Sequence, residues 1–178
     1  MTPEQDRVLV TYASKHGATA AIAQAIADTL REAGLIVDLE PARQIHSLEP
    51  YRAVVLGSAV YMGRWRRDAL RLLRRPELAY RRVWLFSSGP VGKDPADSAS
   101  AQRFVRPRAV EARASEIAAQ EHVVFGGMVA TDGGLIRRRM ALGMAPELRD
   151  RRDWAQIAAW SRSIAAALGG RRALEQPA

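Results

Sequence analysis

Five short apolar runs, at residues 7–13, 35–40, 51–58, 82–87 and 122–129, are separated by segments with helical spacing. This alternation constrains the fold more than any other feature. Runs such as RVLVTYA and YRAVVLGS are nearly continuous in apolar, β-branched and aromatic residues, as strands covered on both faces must be. Between the first two runs, Ile22, Ile26 and Leu30 lie four apart with Ala25 and Ala33 beside them, which predicts a helix over 17–33. Gly34 stands where a left-handed C-cap belongs. Residues 41–50 form a connection with one helical turn. Residues 65–75 read as a second helix, with Ala69, Leu70, Leu72 and Leu73 on its apolar side and Pro76 as its stop. Residues 109–120 read as a third. Asp153 is a good N-cap for a last helix, striped by Ile157, Ser161, Ile164 and Leu168 and ended by Gly169 and Gly170.

Strands alternating with helices build right-handed βαβ units, hence an α/β fold with a parallel sheet and helices on both faces. Ligands in such sheets bind beyond the carboxyl ends of the strands, where the strand order reverses. The loops after strands 1, 3 and 4 are therefore the places to look for chemistry.

The chain's 178 residues suit a single domain, expected over 1–170, with a disordered tail at 171–178. A chain of this size can bury a core without a disulfide or a metal. With no cysteine, disulfides, thiolate zinc, iron–sulfur clusters and a cysteine nucleophile are excluded. His16, His46 and His122 are too scattered to suggest a metal site. No run of 18 apolar residues is present, and the polar, acidic start is not a signal peptide, so a cytoplasmic protein is expected. Net charge is +8, and Lys15 and Lys93 are the only lysines among 27 basic residues. The arginine bias fits a GC-rich genome, yet the field it creates favours anionic ligands, acidic partners or an anionic surface. Arg64, Arg66, Arg67, Arg71, Arg74, Arg75, Arg81 and Arg82 form one cluster; Arg137, Arg138 and Arg139, interleaved with Ile136, Met140, Leu142 and Met144, form another.

After strand 1 come Ser14, Lys15, His16, Gly17, Ala18 and Thr19. Hydroxyls, a basic side chain, a glycine and the amides of a helix start are the parts of a phosphate cradle. The same residues also make a plain βα turn in which Ser14 or Thr19 caps the helix. The spacing is neither the Walker pattern nor G-x-G-x-x-G. After strand 3 come Ser58, Ala59, Val60, Tyr61, Met62, Gly63, Arg64 and Trp65. The small residues let a ligand approach the backbone, and Tyr61, Met62 and Trp65 offer surfaces for a ring; alternatively Tyr61 and Trp65 pack into the core. After strand 4 come Ser87, Ser88, Gly89, Pro90, Val91 and Gly92, a tight turn with exposed amides or an ordinary glycine–proline loop. Taken together at one sheet edge, the three loops suit a mononucleotide with a flat tricyclic head, FMN. A deazaflavin coenzyme is the alternative, because a ring-stacking loop does not count ring nitrogens.

These residues resemble the flavodoxin superfamily. Ser14, Gly17 and Thr19 fit its phosphate motif, hydroxyl-x-Thr-Gly-x-Thr, with His16 in place of the central threonine. Within the superfamily the chain is similar, from about Val8 to Leu168, to the menaquinone-dependent protoporphyrinogen IX dehydrogenase branch. Lys15, His16, the pattern Ser58, Ala59, Val60, Gly63, Trp65, and Asp153-Trp154 with Gln156-Ile157 carry that likeness. The basic segment from Gly133 to Arg152 resembles the branch's membrane-facing insertion in position. The resemblance implies a flavodoxin-like fold with a five-stranded parallel sheet in the order 2-1-3-4-5. It implies FMN, and an oxidoreductase passing electrons between an organic donor, protoporphyrinogen-like, and a quinone-like acceptor, with peripheral contact at the inner face of the membrane through 133–152. No catalytic acid–base residue and no metal is expected, the flavin doing the redox chemistry. The alternative is an electron carrier that docks a redox protein. A nucleic-acid binder ranks last, for want of any reading motif.

Overall fold

The computed structural model describes residues 7–89, 106–128 and 150–170. In chain order these form β1 (Arg7–Ala13), α1 (Ala18–Glu32), β2 (Val37–Pro41), a 3-10 turn (Ala42–Gln44), β3 (Tyr51–Tyr61), β4 (Arg64–Trp65) and α2 (Arg67–Leu73). A second 3-10 turn (Pro76–Tyr80), β5 (Arg82–Gly89), α3 (Arg108–Glu116), β6 (Glu121–Gly126) and α4 (Trp154–Ala167) follow. The main sheet runs β2-β1-β3-β5-β6 and every pairing in it is parallel. This is the expected five-strand order, with one addition. β4 pairs antiparallel with the end of β3, through Val60 and Trp65 and through Tyr61 and Arg64.

The addition corrects the reading of 65–75 as a helix. Nothing interrupts β3 after residue 58, because Ala59, Val60 and Tyr61 continue its apolar run. The strand therefore extends to Tyr61 and turns back, Trp65 joins the sheet, and α2 starts at Arg67. The end of α1 behaves as its sequence predicts. Gly34 has φ 83, its amide donates to the carbonyl of Arg31, and the Leu35 amide donates to Leu30. That Schellman closure delays β2 to Val37.

Alternate strand residues feed two cores, as the strand period of two requires. On one face Val8, Val10, Val55, Phe86 and Phe125 pack with Ile22, Ile26 and Leu30 of α1 and Ile157, Trp160 and Ile164 of α4. On the other, Leu9, Leu56, Val83, Leu85 and Val124 pack with Leu72 and Leu73 of α2 and Val110 of α3. At the amino end of β1, Arg7 Nε donates to Asp38 Oδ2 at 2.8 Å, and its Nη2 donates to the other carboxylate oxygen. This fork holds the Asp38 carboxyl below its usual range. Asp153 caps α4 as expected, its Oδ1 accepting from the Gln156 amide at 3.0 Å.

Gly57 is dictated by a neighbour. A methyl at its Cα would lie 1.9 Å from Cζ of Phe86, whose ring occupies the space above β3. Gly57→Ala should therefore destabilise the protein by more than about 3 kcal/mol, at the upper end of overpacking costs. The double variant Gly57→Ala/Phe86→Leu should recover part of that loss in denaturant unfolding. Additive losses would show that the contact does not set the residue.

Candidate functional site

The carboxyl ends of β1, β3 and β5 stand side by side. Ala13 is in register with Ser58, Ser58 with Ser87, and Ala59 with Ser88. The residues leaving these strands therefore share one edge.

From β1 the chain passes through Ser14, exposed Lys15 and His16 to Gly17, whose φ of 83 turns it into α1. Ser14 Oγ accepts from the Gly17 amide at 3.1 Å, and the Gly17 carbonyl accepts the first helical bond, from Ala21. No side chain caps α1 and its first turn holds no acidic residue. The amides of Ala18, Thr19 and Ala20 are thus left without partners among the described residues. A methyl on Gly17 would meet nothing within 4 Å, so this end of the helix faces open space. Beside it lies a hollow of about 210 Å³, lined by Ser14, Gly17, Ala20, Pro41, Arg43 and Asp68. The donor set fits a phosphate: unpaired amides at the positive end of a helix dipole, a serine hydroxyl and the Arg43 guanidinium, with Lys15 in the turn itself and the Asp68 carboxylate as the one opposing charge in the lining.

Thr19 contributes to this set through its amide. Its hydroxyl is buried and lies 2.7 Å from Ser88 Oγ, which ties the first turn of α1 to the end of β5. Ser58 is likewise turned inward, donating to the Ala59 carbonyl at 2.9 Å and accepting from the Arg66 amide at 3.0 Å. It braces the β3–β4 hairpin. At the hairpin tip Met62 and Gly63 both have positive φ, 49 and 68, the requirement of a two-residue I′ turn. A methionine in that region is strained. Met62 is 88% exposed and Tyr61 36%. Ala59 and Val60 are buried beneath them. Trp65, a candidate ring surface, is instead part of the core. Ser88 and Gly89 end β5 at the same edge; Pro90, Val91 and Gly92, and the segment 133–149, lie outside the described residues.

A buried polar chain underlies this edge and was not anticipated. Trp65 Nε1–H donates to Ser87 Oγ at 2.8 Å, and Ser87 Oγ lies 3.0 Å from His122 Nε2. His122 Nδ1 lies 2.5 Å from Glu111 Oε1, and a guanidinium nitrogen of Arg106 donates to the His122 carbonyl. The partners assign the proton: Nδ1–H donates to the carboxylate, and Nε2 accepts from the Ser87 hydroxyl. By distance alone this is a serine–histidine–carboxylate triad. Ser87 has no exposed surface, however, and its oxygen already accepts from tryptophan, so the chain braces β4, β5, β6 and α3 together. Burial pushes the His122 imidazole below its ordinary range, against the pull of Glu111 and with the Arg106 charge adding to the lowering. The one sequence signal was an imidazole within an apolar strand run.

The histidine shift has a signed consequence. Unfolded, the imidazole takes a proton near pH 6.5, while folded His122 resists until lower pH. The unfolded state then binds more protons, so stability should fall as pH drops below about 6.5. Urea midpoints from pH 8 to 5 should show this decline, and His122→Gln should flatten it. At pH 7.5, Ser87→Ala should cost ~1–3 kcal/mol by stranding the indole N–H and Nε2.

A family model described as "Flavodoxin domain" matches residues 9–144. Among solved structures, oxidised flavodoxin 2 from Bacillus cereus aligns at TM-score 0.58 and 21% identity, covering 92% of this chain and 97% of that one. A flavodoxin from Pseudomonas aeruginosa aligns at TM-score 0.60 and 18% identity, covering 92% and 99%. Rubredoxin oxygen:oxidoreductase from Desulfovibrio gigas aligns at TM-score 0.59 and 15% identity over 95% of this chain, which spans only 37% of that protein. At these identities the likeness establishes the fold. No curated protein sequence matches the chain.

Proposed function

The chain belongs to the flavodoxin domain family, and on that footing we propose that it binds FMN and transfers electrons through it. The observation that carries this reading is the uncapped start of α1, with three unpaired amides, Ser14 and Lys15 around open space. There Ser14, Lys15 and the amides of Ala18, Thr19 and Ala20 would hold the phosphate, the charge-assisted bonds being the strong ones. The hairpin tip, Tyr61 to Gly63, and the β5 exit at Ser88 and Gly89, with Pro90, Val91 and Gly92 beyond, would flank the ring. When bound, the flavin supplies the capacity to take up and release electrons singly or in pairs. The protein's part is position: Ser58 and Ser87 brace the hairpin, and the Thr19–Ser88 contact fixes the helix start against β5. A deazaflavin coenzyme would use the same phosphate donors.

The finer reading is an oxidoreductase with a protoporphyrinogen-like donor and a quinone-like acceptor. Its support is the resemblance of Lys15, His16 and residues 58–65 to that branch; the membrane contact through 133–152 rests on sequence alone. No helix among the described residues is long and apolar enough to cross a membrane. The second reading, a carrier that docks a redox protein, is favoured by the protruding apolar tip at Met62.

Purified protein titrated with FMN should develop the shifted, quenched flavin spectrum of a bound ring. Ser14→Ala should weaken FMN ten- to a hundredfold, from the ~1.5–3 kcal/mol of a hydrogen bond to a charged group, and leave riboflavin unchanged. Equal loss for both ligands would remove the phosphate role. Met62→Gly should raise the stability of the FMN-free protein by relieving the positive φ, yet weaken both ligands, if the methionine serves the ring. Reoxidation of the reduced protein by a soluble quinone favours the oxidoreductase over the carrier.

A further inference from the structure

The arginines of the described residues divide into two groups. Many are fasteners: Arg75 donates to the carbonyls of Ile45 and His46, Arg81 to those of Leu48 and Tyr51, and Arg113 to that of Leu73. Arg52 and Arg82 hold the end of α4 through the carbonyls of Leu168 and Ala167. The second group makes no bond among the described residues, and four of its members gather at the candidate site. Arg64 is the cross-strand partner of Tyr61, Arg66 follows β4 with its amide on Ser58, Arg67 opens α2, and Arg43 lines the hollow beside Ser14 and Gly17. One turn along α2, Arg71 reaches Asp68 only at 3.9 Å with 80% of its side chain exposed. Arg64 and Arg66 thus belong to the hairpin whose tip presents Met62 and Tyr61 as apolar surface, and Arg43 and Arg67 stand toward the adjoining hollow, which Arg43 and Asp68 line.

We infer that Arg43, Arg64, Arg66 and Arg67 form the cationic rim of a docking surface, centred on Met62 and Tyr61, for a protein partner that presents carboxylates. The inference rests on the flavin reading only in making that partner the electron partner. Fastener arginines are already committed to carbonyls and add little to recognition. Unpaired ones keep their donors for a partner and project their field outward. An apolar centre rich in Met and Tyr within an Arg rim is the make-up of a protein–protein patch. A phosphate backbone would use the charges and leave the Met62 side chain idle; a lipid surface would use both, and anionic vesicles are therefore the competing partner in the test. Rim charges act mainly on encounter, so the interaction should be fast and salt-sensitive.

Calorimetric binding of an acidic ferredoxin and a basic cytochrome c to the FMN-loaded protein tests this. Ferredoxin should bind at low salt and weaken about tenfold or more on raising salt from about 0.02 to 0.3 M, while cytochrome c should not bind. Arg64→Glu/Arg67→Glu should weaken ferredoxin at least tenfold and flatten its salt dependence. Arg108→Glu/Arg162→Glu reverses two unpaired arginines on α3 and α4, and should leave binding unchanged. Urea midpoints equal to the parent's establish that each variant is folded. Equal losses in both variants, equal binding of cytochrome c, or tighter binding of anionic vesicles or duplex DNA than of ferredoxin would overturn the inference. The same titrations without FMN keep the two readings apart. Failure to load FMN removes the flavin reading alone, and loss of salt-dependent ferredoxin binding removes the docking surface alone.

Discussion

Two adjacent serines at the end of β5 hold the edge of this molecule together. Successive strand residues point to opposite faces. Ser87 therefore reaches Trp65 and His122 on the side of α2 and α3, while Ser88 reaches Thr19 of α1 on the other. Each hydroxyl is buried, where an unmatched polar group would cost far more than a made bond returns. Through them the phosphate-type turn, the hairpin and β6 are registered against a single strand. A ligand site assembled from three loops needs such a common reference, because small independent drifts of the loops would spoil its geometry.

Much of the architecture was legible in the residues. β1 falls where RVLVTYA places it, Gly34 closes α1 with positive φ, and Asp153 caps α4, each because the deciding chemistry is local. The hairpin was not legible, because its cause is remote. Residues 65–75 carry a helical pattern, and only the bond from Trp65 to Ser87 and the pairing of Trp65 with Val60 show why the first residue leaves it. The turn also uses Met62 at positive φ, where sequence statistics expect Asn or Gly. For the candidate site, residue order placed three loops at one sheet edge, where Ala13, Ser58 and Ser87 stand in register, but it did not show the partners of individual atoms. The Thr19 hydroxyl belongs to the phosphate-cradle pattern in the sequence, and in the fold it meets Ser88, while the Ser58 hydroxyl is taken up by the Ala59 carbonyl and the Arg66 amide.

The charge shows the same limit. A stretch holding eight arginines in 19 residues reads uniformly in one dimension. In three, Arg75 and Arg81 point back to the loop carbonyls of His46 and Leu48, whereas Arg64 and Arg67 meet no partner among the described residues. The division follows from what each side chain can reach. The carbonyls that Arg75, Arg81, Arg113, Arg52 and Arg82 reach, at the ends of the 3-10 turns and helices and at the start of β3, lie near the amino edge of the sheet.

The position of α4 bears on how the chain is made. One core is shared between α1, near the start, and Ile157, Trp160, Ile164 and Leu168, near the end, and Arg52 and Arg82 of β3 and β5 grip the final turn of α4. During synthesis the sheet face beside α1 therefore stays half uncovered until the last helix emerges. Phe86 and Phe125, whose rings meet Trp160, lack that cover until α4 is made, and a nascent chain in that condition is a natural client for chaperones.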